Sequence, residues 1–156
     1  MGRLEFRRTQ AERGAAMVEF AITLPFLLLL MLAIGEIGRM LFQYNTLLQA
    51  NRDAVRYVAG KAWNPTLGTV DLSLQLQAET KNLAVYGLPV VPSGGQPLVP
   101  GLTTGDVQIV AVGLNQIRVT TSYTFVPIVG TGIPALLSSA IPLNFPLVAT
   151  TIMRVL

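Results

Sequence analysis

From Ala15 to Gly35 the chain reads AAMVEFAITLPFLLLLMLAIG, with Glu19 as its one charged residue. At about 1.5 Å of helical rise per residue this stretch covers roughly 32 Å, the thickness of a bilayer's hydrocarbon core. It therefore predicts a membrane-spanning helix over residues 15–35. Pro25 lies inside it, which membrane helices accommodate with a kink. Two other readings compete. A cleaved secretory signal needs small residues at a cut site after the apolar run, and LAIGEIGRM offers only weak candidates. Arg7-Arg8 resembles a twin-Arg export signal, but TQAE follows and is not apolar.

Outward from the span, composition points the same way. Of 156 residues 51% are hydrophobic and 12% charged, against about 25% charged in ordinary soluble domains. The net charge of +3 is concentrated at the start: Arg3, Arg7, Arg8 and Arg13 stand against Glu5 and Glu12. The rest of the chain holds seven basic and six acidic residues, too even a balance for a nucleic-acid surface. Arg residues beside an apolar segment hold their flank in the cytoplasm. Residues 1–14 thus read as a cytoplasmic basic leader and residues 61–156 as a domain outside. The chain has no Cys and no His, which removes thiol nucleophiles, zinc sites and His-based triads. No metal, cofactor or small-molecule substrate is expected.

The helical pattern continues past the span. Ile37, Leu41, Tyr44, Leu48, Val55 and Val58 recur at spacings of three and four or their sum, with Met40, Leu47 and Ala54 flanking them, and predict an amphipathic extension over residues 36–60. Glu36, Arg39, Gln43, Gln49, Arg52, Asp53 and Arg56 fall on the other face, and Asn51 is the polar interruption of the stripe. Gly60 caps the helix and Asn64-Pro65 ends it. Residues 71–86 predict a short helix ending at Gly87. Residues 87–105 carry four Pro and five Gly and read as an irregular connection.

The period then changes to two. DVQIVAV and QIRVTTSYTFV, separated by Gly113-Leu114-Asn115, predict an antiparallel hairpin, and PLVATTIMRVL supplies a third strand. The expected fold class is α+β: a long N-terminal helix, then a short helix and a small antiparallel sheet of about three strands, one face covered by the amphipathic stripe. Residues 127–145 (PIVGTGIPALLSSAIPLNF) carry no charge. A short helix is expected around residues 135–140, and the surplus apolar surface faces the domain core, the membrane or a partner.

At the leader boundary stand Arg13-Gly14-Ala15-Ala16-Met17-Val18-Glu19-Phe20. A Gly, four residues, then Glu-Phe, at the start of an apolar helix, resembles a type IV prepilin peptidase site. The longer stretch RGAAMVEFAITLPFLLLLMLAIGEIGRMLF resembles the TadE-like family of tight-adherence (Tad/Flp) pilus assembly proteins. The likeness runs on more diffusely through NRDAVRYVAG, KNLAVYG, VTTSYTFVPI and ATTIMR.

The resemblance implies cleavage between Gly14 and Ala15, with Glu19 and Phe20 as recognition residues. It also implies an assembly contact in which Glu19 meets the new amine of Ala15 on a neighbouring subunit. The implied protein is a minor pilin-like subunit on the bacterial cytoplasmic membrane. Its partners would be the prepilin peptidase, TadE-like or TadF-like proteins, the small Flp pilin and the Tad membrane platform. The residues give these roles a physical basis. Gly14 has no Cβ, so a protease can approach its backbone closely. Glu19 lies about 6 Å of helix rise from Ala15, near a helix start whose amides and dipole favour a carboxylate. Two rivals remain: an unprocessed anchored binding module, and a tethered hydrolase. The hydrolase would have only Asp71, Glu79 and Asp106 as acids beyond residue 60.

Overall fold

The computed structural model describes residues 2–128, 132–133 and 141–155, with side chains over 14–128 and 142–155. Element α1 runs Gly2–Ala59 as one helix with Pro25 inside it. Its backbone stays helical upstream of Ala15 because residues 2–13 are mostly Arg, Glu, Leu, Gln and Ala, all strong helix formers. The two-residue strands β1 (Trp63–Asn64) and β2 (Thr69–Val70) pair as a small hairpin in the connection that follows α1. Helix α2 spans Leu74–Tyr86, three residues shorter at its start than expected. Ser73 sets that boundary, its Oγ accepting the Leu76 N–H at 3.2 Å. Gly87, at φ 74°, closes the other end with its N–H on Leu83 O.

A single 3₁₀ turn at Thr104–Asp106 leads into the sheet. Strands β3 (Val107–Val112), β4 (Gln116–Thr124) and β7 (Pro146–Arg154) form an antiparallel sheet in the order β3-β4-β7. Val112 pairs with Gln116 across the expected three-residue connection, whose Gly113 takes φ 67°. Val119 faces Thr151 and Thr121 faces Ala149 on the other side of β4. Strands β5 (Gly132–Ile133) and β6 (Ile141–Pro142) make a second short ladder. The helix expected around residues 135–140 lies outside the described residues.

The chain forms two compact units, Met1–Gly38 with Pro127–Leu143, and Arg39–Val126 with Asn144–Leu156. The first holds the apolar half of α1 and the β5-β6 ladder. The second holds the three-stranded sheet with α2 and the later half of α1, and its core is built from all three.

Within that second unit the buried face of α1 is Gln43, Leu47, Ala50, Asn51, Ala54, Val55 and Val58. This corrects the stripe read from spacing. Val55 and Val58 are buried as expected, Tyr44 and Leu48 only half so, and Leu41 is 53% exposed. In the first unit Ile37 is likewise exposed. The cause is periodicity. A strict three-four stripe repeats every 3.5 residues, and an ideal helix slips about 20° per heptad against it, roughly 60° over three heptads. The stripe therefore meets the core at its end and leaves it at its start. Gln43, assigned to the polar face, goes inside in its place.

Candidate recognition and assembly segment

All the residues singled out for processing sit on α1 and face outward. Gly14, Ala15, Glu19 and Phe20 are exposed. A Cβ built on Gly14 meets no atom within 4 Å. Glycine within a helix costs about 0.5–1 kcal/mol relative to alanine, and nothing packed among the described residues requires it there. Glu19 makes no hydrogen bond or ion pair with any described residue. The segment around it is apolar: an 18-residue window of α1 reaches a mean hydropathy of 2.4 with none of it buried. One turn on, Thr23 Oγ1 donates to Phe20 O at 3.2 Å, two residues before Pro25. Among the described residues this is the one helix long and apolar enough to cross a membrane.

Just past the span, two charged residues that spacing assigned to a solvated face are structural. In the first unit Glu36 is buried and its Oε1 accepts the backbone N–H of Ile128 at 2.9 Å. In the second, Arg39 Nη2 donates to Val126 O at 2.5 Å, and its guanidinium stacks 4.6 Å from the Phe125 ring centre. The sequence signal was their position: opposite charges three residues apart, directly after an apolar run.

Asn51 is the other residue whose role spacing did not reveal. It is fully buried, and its Nδ2 donates to Val119 O at 3.1 Å and to Thr151 Oγ1 at 3.0 Å. Its Oδ1 accepts from Thr121 Oγ1 at 3.1 Å. One side chain thus bonds α1 to both β4 and β7. The polar interruption of the stripe is the tie between helix and sheet.

Near the end of α1, Tyr57 OH donates to Glu79 Oε2 at 2.6 Å, Gln75 Nε2 donates to Glu79 Oε1 at 2.9 Å, and Lys61 Nζ donates to Tyr57 OH. The Tyr57 hydroxyl, then Gln75 and Lys61, hold the Glu79 carboxyl below its usual range. Lys61 is raised, first by its bond to Tyr57. Asp106 accepts from Thr103 N and Oγ1 at 2.8 and 2.7 Å, capping the turn before β3. Asp71 is exposed, and its backbone N–H bonds Ala62 O. Arg118 and Arg154 are exposed on the sheet, as the alternation of their strands implies.

Residues 14–56 match the family model of TadE-like proteins. The match begins at Gly14 and takes in the span and most of the amphipathic half, where the resemblance is sharpest. This segment resembles TadE-like proteins. No curated protein and no solved structure gives a significant match.

Proposed function

We propose that this chain is a minor, pilin-like subunit of a Tad/Flp pilus assembly and secretion machine. A prepilin peptidase cuts it between Gly14 and Ala15, and it acts by assembly, with no chemistry of its own. The leader stays in the cytoplasm, the apolar half of α1 crosses the membrane, and the sheet domain stands outside. The peptidase, TadE-like or TadF-like proteins, the small Flp pilin and the membrane platform are its partners.

The observation that carries this reading is the isolated carboxylate of Glu19 on a helix with no buried residue around it. A charge at membrane depth costs on the order of 2.5–3.5 kcal/mol at the centre and less near the edge. No side chain among the described residues bonds or pairs with Glu19, which favours a partner outside the chain. The amine freed at Ala15 of a neighbouring subunit has the right charge at the right depth. Gly14 supports the same reading: its missing Cβ serves nothing packed against it, but it suits a protease that must reach backbone.

The test is the intact mass of the membrane-extracted protein from cells with an active prepilin peptidase. The expected mature chain begins at Ala15. Gly14→Val places a β-branched side chain at the cut, and the leader should remain. Glu19→Leu should insert as well as the parent chain yet fail to assemble. A parent mass that still includes residues 1–14 would falsify the processing step and leave an unprocessed anchor.

A further inference from the structure

The sheet of the second unit has two edges, and they differ. β3 is six residues long and α2 lies against it. β7 is nine residues long and, among the described residues, pairs only with β4. Two bonds in the register of that ladder show which of its backbone groups are left over. Phe125 N–H donates to Phe145 O at 3.0 Å, and Val155 N–H donates to Asn115 O at 2.9 Å. Both fall on odd-numbered positions, just before and just after β7. Bonded positions alternate along an antiparallel strand. Val148, Thr150, Ile152 and Arg154 therefore turn their N–H and C=O groups away from β4, toward the free edge, and none of these groups bonds a described residue.

Proteins that leave an edge to water blunt it with a bulge, a charge, a proline or a short length. β7 has none of these along its middle. Its ladder with β4 runs without a break, and Leu147 to Met153 holds no charge and no proline. Ala149 and Thr151 face α1, so Val148 and Ile152, 47% and 48% exposed, stand on the open face. The same side of the unit carries the flank of α1 that the core leaves uncovered. Asn51 sets α1 over β4 and β7, with α2 on the β3 side. At about 100° per residue, Thr46 and Asp53 turn toward α2, where they share a cavity with Leu83 and Gly87. Tyr44 and Leu48 turn the other way, toward the β7 edge, and Leu41 continues that flank.

We propose that the β7 edge is the docking site for an extended strand of a partner protein, which joins the sheet beside β7. Only an extended chain offers donors and acceptors at the spacing of alternate residues, about 6.6–6.8 Å, so the row of backbone groups itself defines the occupant. The strand runs antiparallel to β7, the more stable direction of pairing. Its side chains on the open face are apolar where they meet Val148 and Ile152, and those on the other face lie against Tyr44 and Leu48. At one end a carboxylate faces Arg154. That guanidinium makes no hydrogen bond or ion pair with any described residue, and it lines a cavity of about 440 Å³ with Trp63 and Asn115. A second copy is the other source of a strand, and antiparallel pairing about Thr150 would match Val148 with Ile152. But Arg39 holds Val126 and Asn51 holds Val119, so α1 runs along β4, and a copy turned end for end has its α1 reversed. Two such chains cannot both be anchored by α1 in one membrane. That exclusion rests on the membrane-anchored reading above; the free edge does not.

The probe is a short synthetic peptide with Asp, Val, Thr and Val at alternate positions, set to meet Arg154, Ile152, Thr150 and Val148. Amide exchange is followed in the detergent-solubilised full chain, once its retention in alkali-washed membranes has been scored. In the chain by itself Val148, Thr150 and Ile152 should exchange freely while Ala149, Thr151 and Met153 are protected. The peptide, at about ten times its Kd, should slow the first three about tenfold and leave the amides of β3 unchanged. Thr150→Pro removes an outward N–H that the fold does not use, so its urea midpoint should stay near the parent's while the effect of the peptide is lost. Ile152→Lys keeps every backbone group and should weaken the peptide several-fold. Protection of Val148, Thr150 and Ile152 before the peptide is added means that the edge is already covered, and overturns the proposal. So does an absence of slowing, or equal slowing by a scrambled peptide. The chain has no cysteine, so T150C reports cleanly on self-pairing. A disulfide-linked T150C dimer in oxidised membranes makes a second copy the occupant, and the partner strand is wrong. Loss of the chain from alkali-washed membranes overturns the anchored reading alone, and the T150C result then decides between partner and second copy.

Discussion

Between Ala15 and Gly35, α1 buries none of its residues; between Arg39 and Ala59 it buries Gln43, Leu47, Ala50, Asn51, Ala54, Val55, Val58 and Ala59. The backbone conformation is the same in both halves. What differs is where the partners of the side chains lie. The later half packs one apolar face and ties the Asn51 amide within the chain, while Gln43 Oε1 is buried with no hydrogen-bond partner among the described residues. Among the described residues the earlier half leaves its apolar surface and Glu19 without internal partners, and in the proposed reading lipid and a neighbouring subunit supply them. Substitutions in the later half should therefore act on folding, and those in the earlier half on assembly.

The sharpest way to break that contrast is Asn51. Asn51→Leu removes three hydrogen bonds and strands the Thr121 hydroxyl in the core, so urea unfolding in detergent should show a loss of about 2–4 kcal/mol. Glu19→Leu in the same assay should leave stability unchanged. If the two variants unfold alike, the halves are not held differently.

The phase of the buried face is tested next, by neighbours in sequence. Leu47 is 1% exposed and Leu48 half-buried. Leu47→Ala should cost about 2–5 kcal/mol, and Leu48→Ala less than half as much, because its site already opens to solvent. The reverse order in thermal or urea unfolding would restore the stripe read from spacing.

The smallest effect expected is a dependence on pH at the Lys61-Tyr57-Glu79 cluster. The Glu79 carboxyl is lowered in the folded chain, so its contribution is present above its unfolded value and is lost as pH falls through the folded one. Lys61 is raised, so its contribution holds below its unfolded value and fades as pH rises through the folded one. Between those limits the cluster should be insensitive to pH. Protection from hydrogen exchange at the first turns of α2, taken relative to the intrinsic rate at each pH, should fall at acid pH in the parent chain and already at neutral pH in Glu79→Gln. An unchanged exchange profile in that variant would show that the cluster does not hold α2.

Much of this architecture follows from local chemistry that a sequence displays. The apolar run from Ala15, the change to a period of two after Asp106 and the Gly113 connection each depend on residues close in the chain. So the helix, the hairpin and the third strand could be read directly, as could the TadE-like segment beginning at Gly14. Ser73 as a cap is equally local, since its Oγ meets the N–H of Leu76 three residues on. What periodicity could not give was the phase of α1. A 3.5-residue stripe and a 3.6-residue helix part company over three heptads, and only the sheet's position decides which residues they bury. For the same reason Glu36 and Arg39 look like surface polar groups in the sequence, and Asn51 like a bare interruption of the stripe. Their partners, Val119, Thr121 and Thr151 for the first, Ile128 and Val126 for the others, lie some 70 to 100 residues away. A buried polar group is stable only where a distant strand supplies its hydrogen bonds, and that supply exists only once the chain has folded.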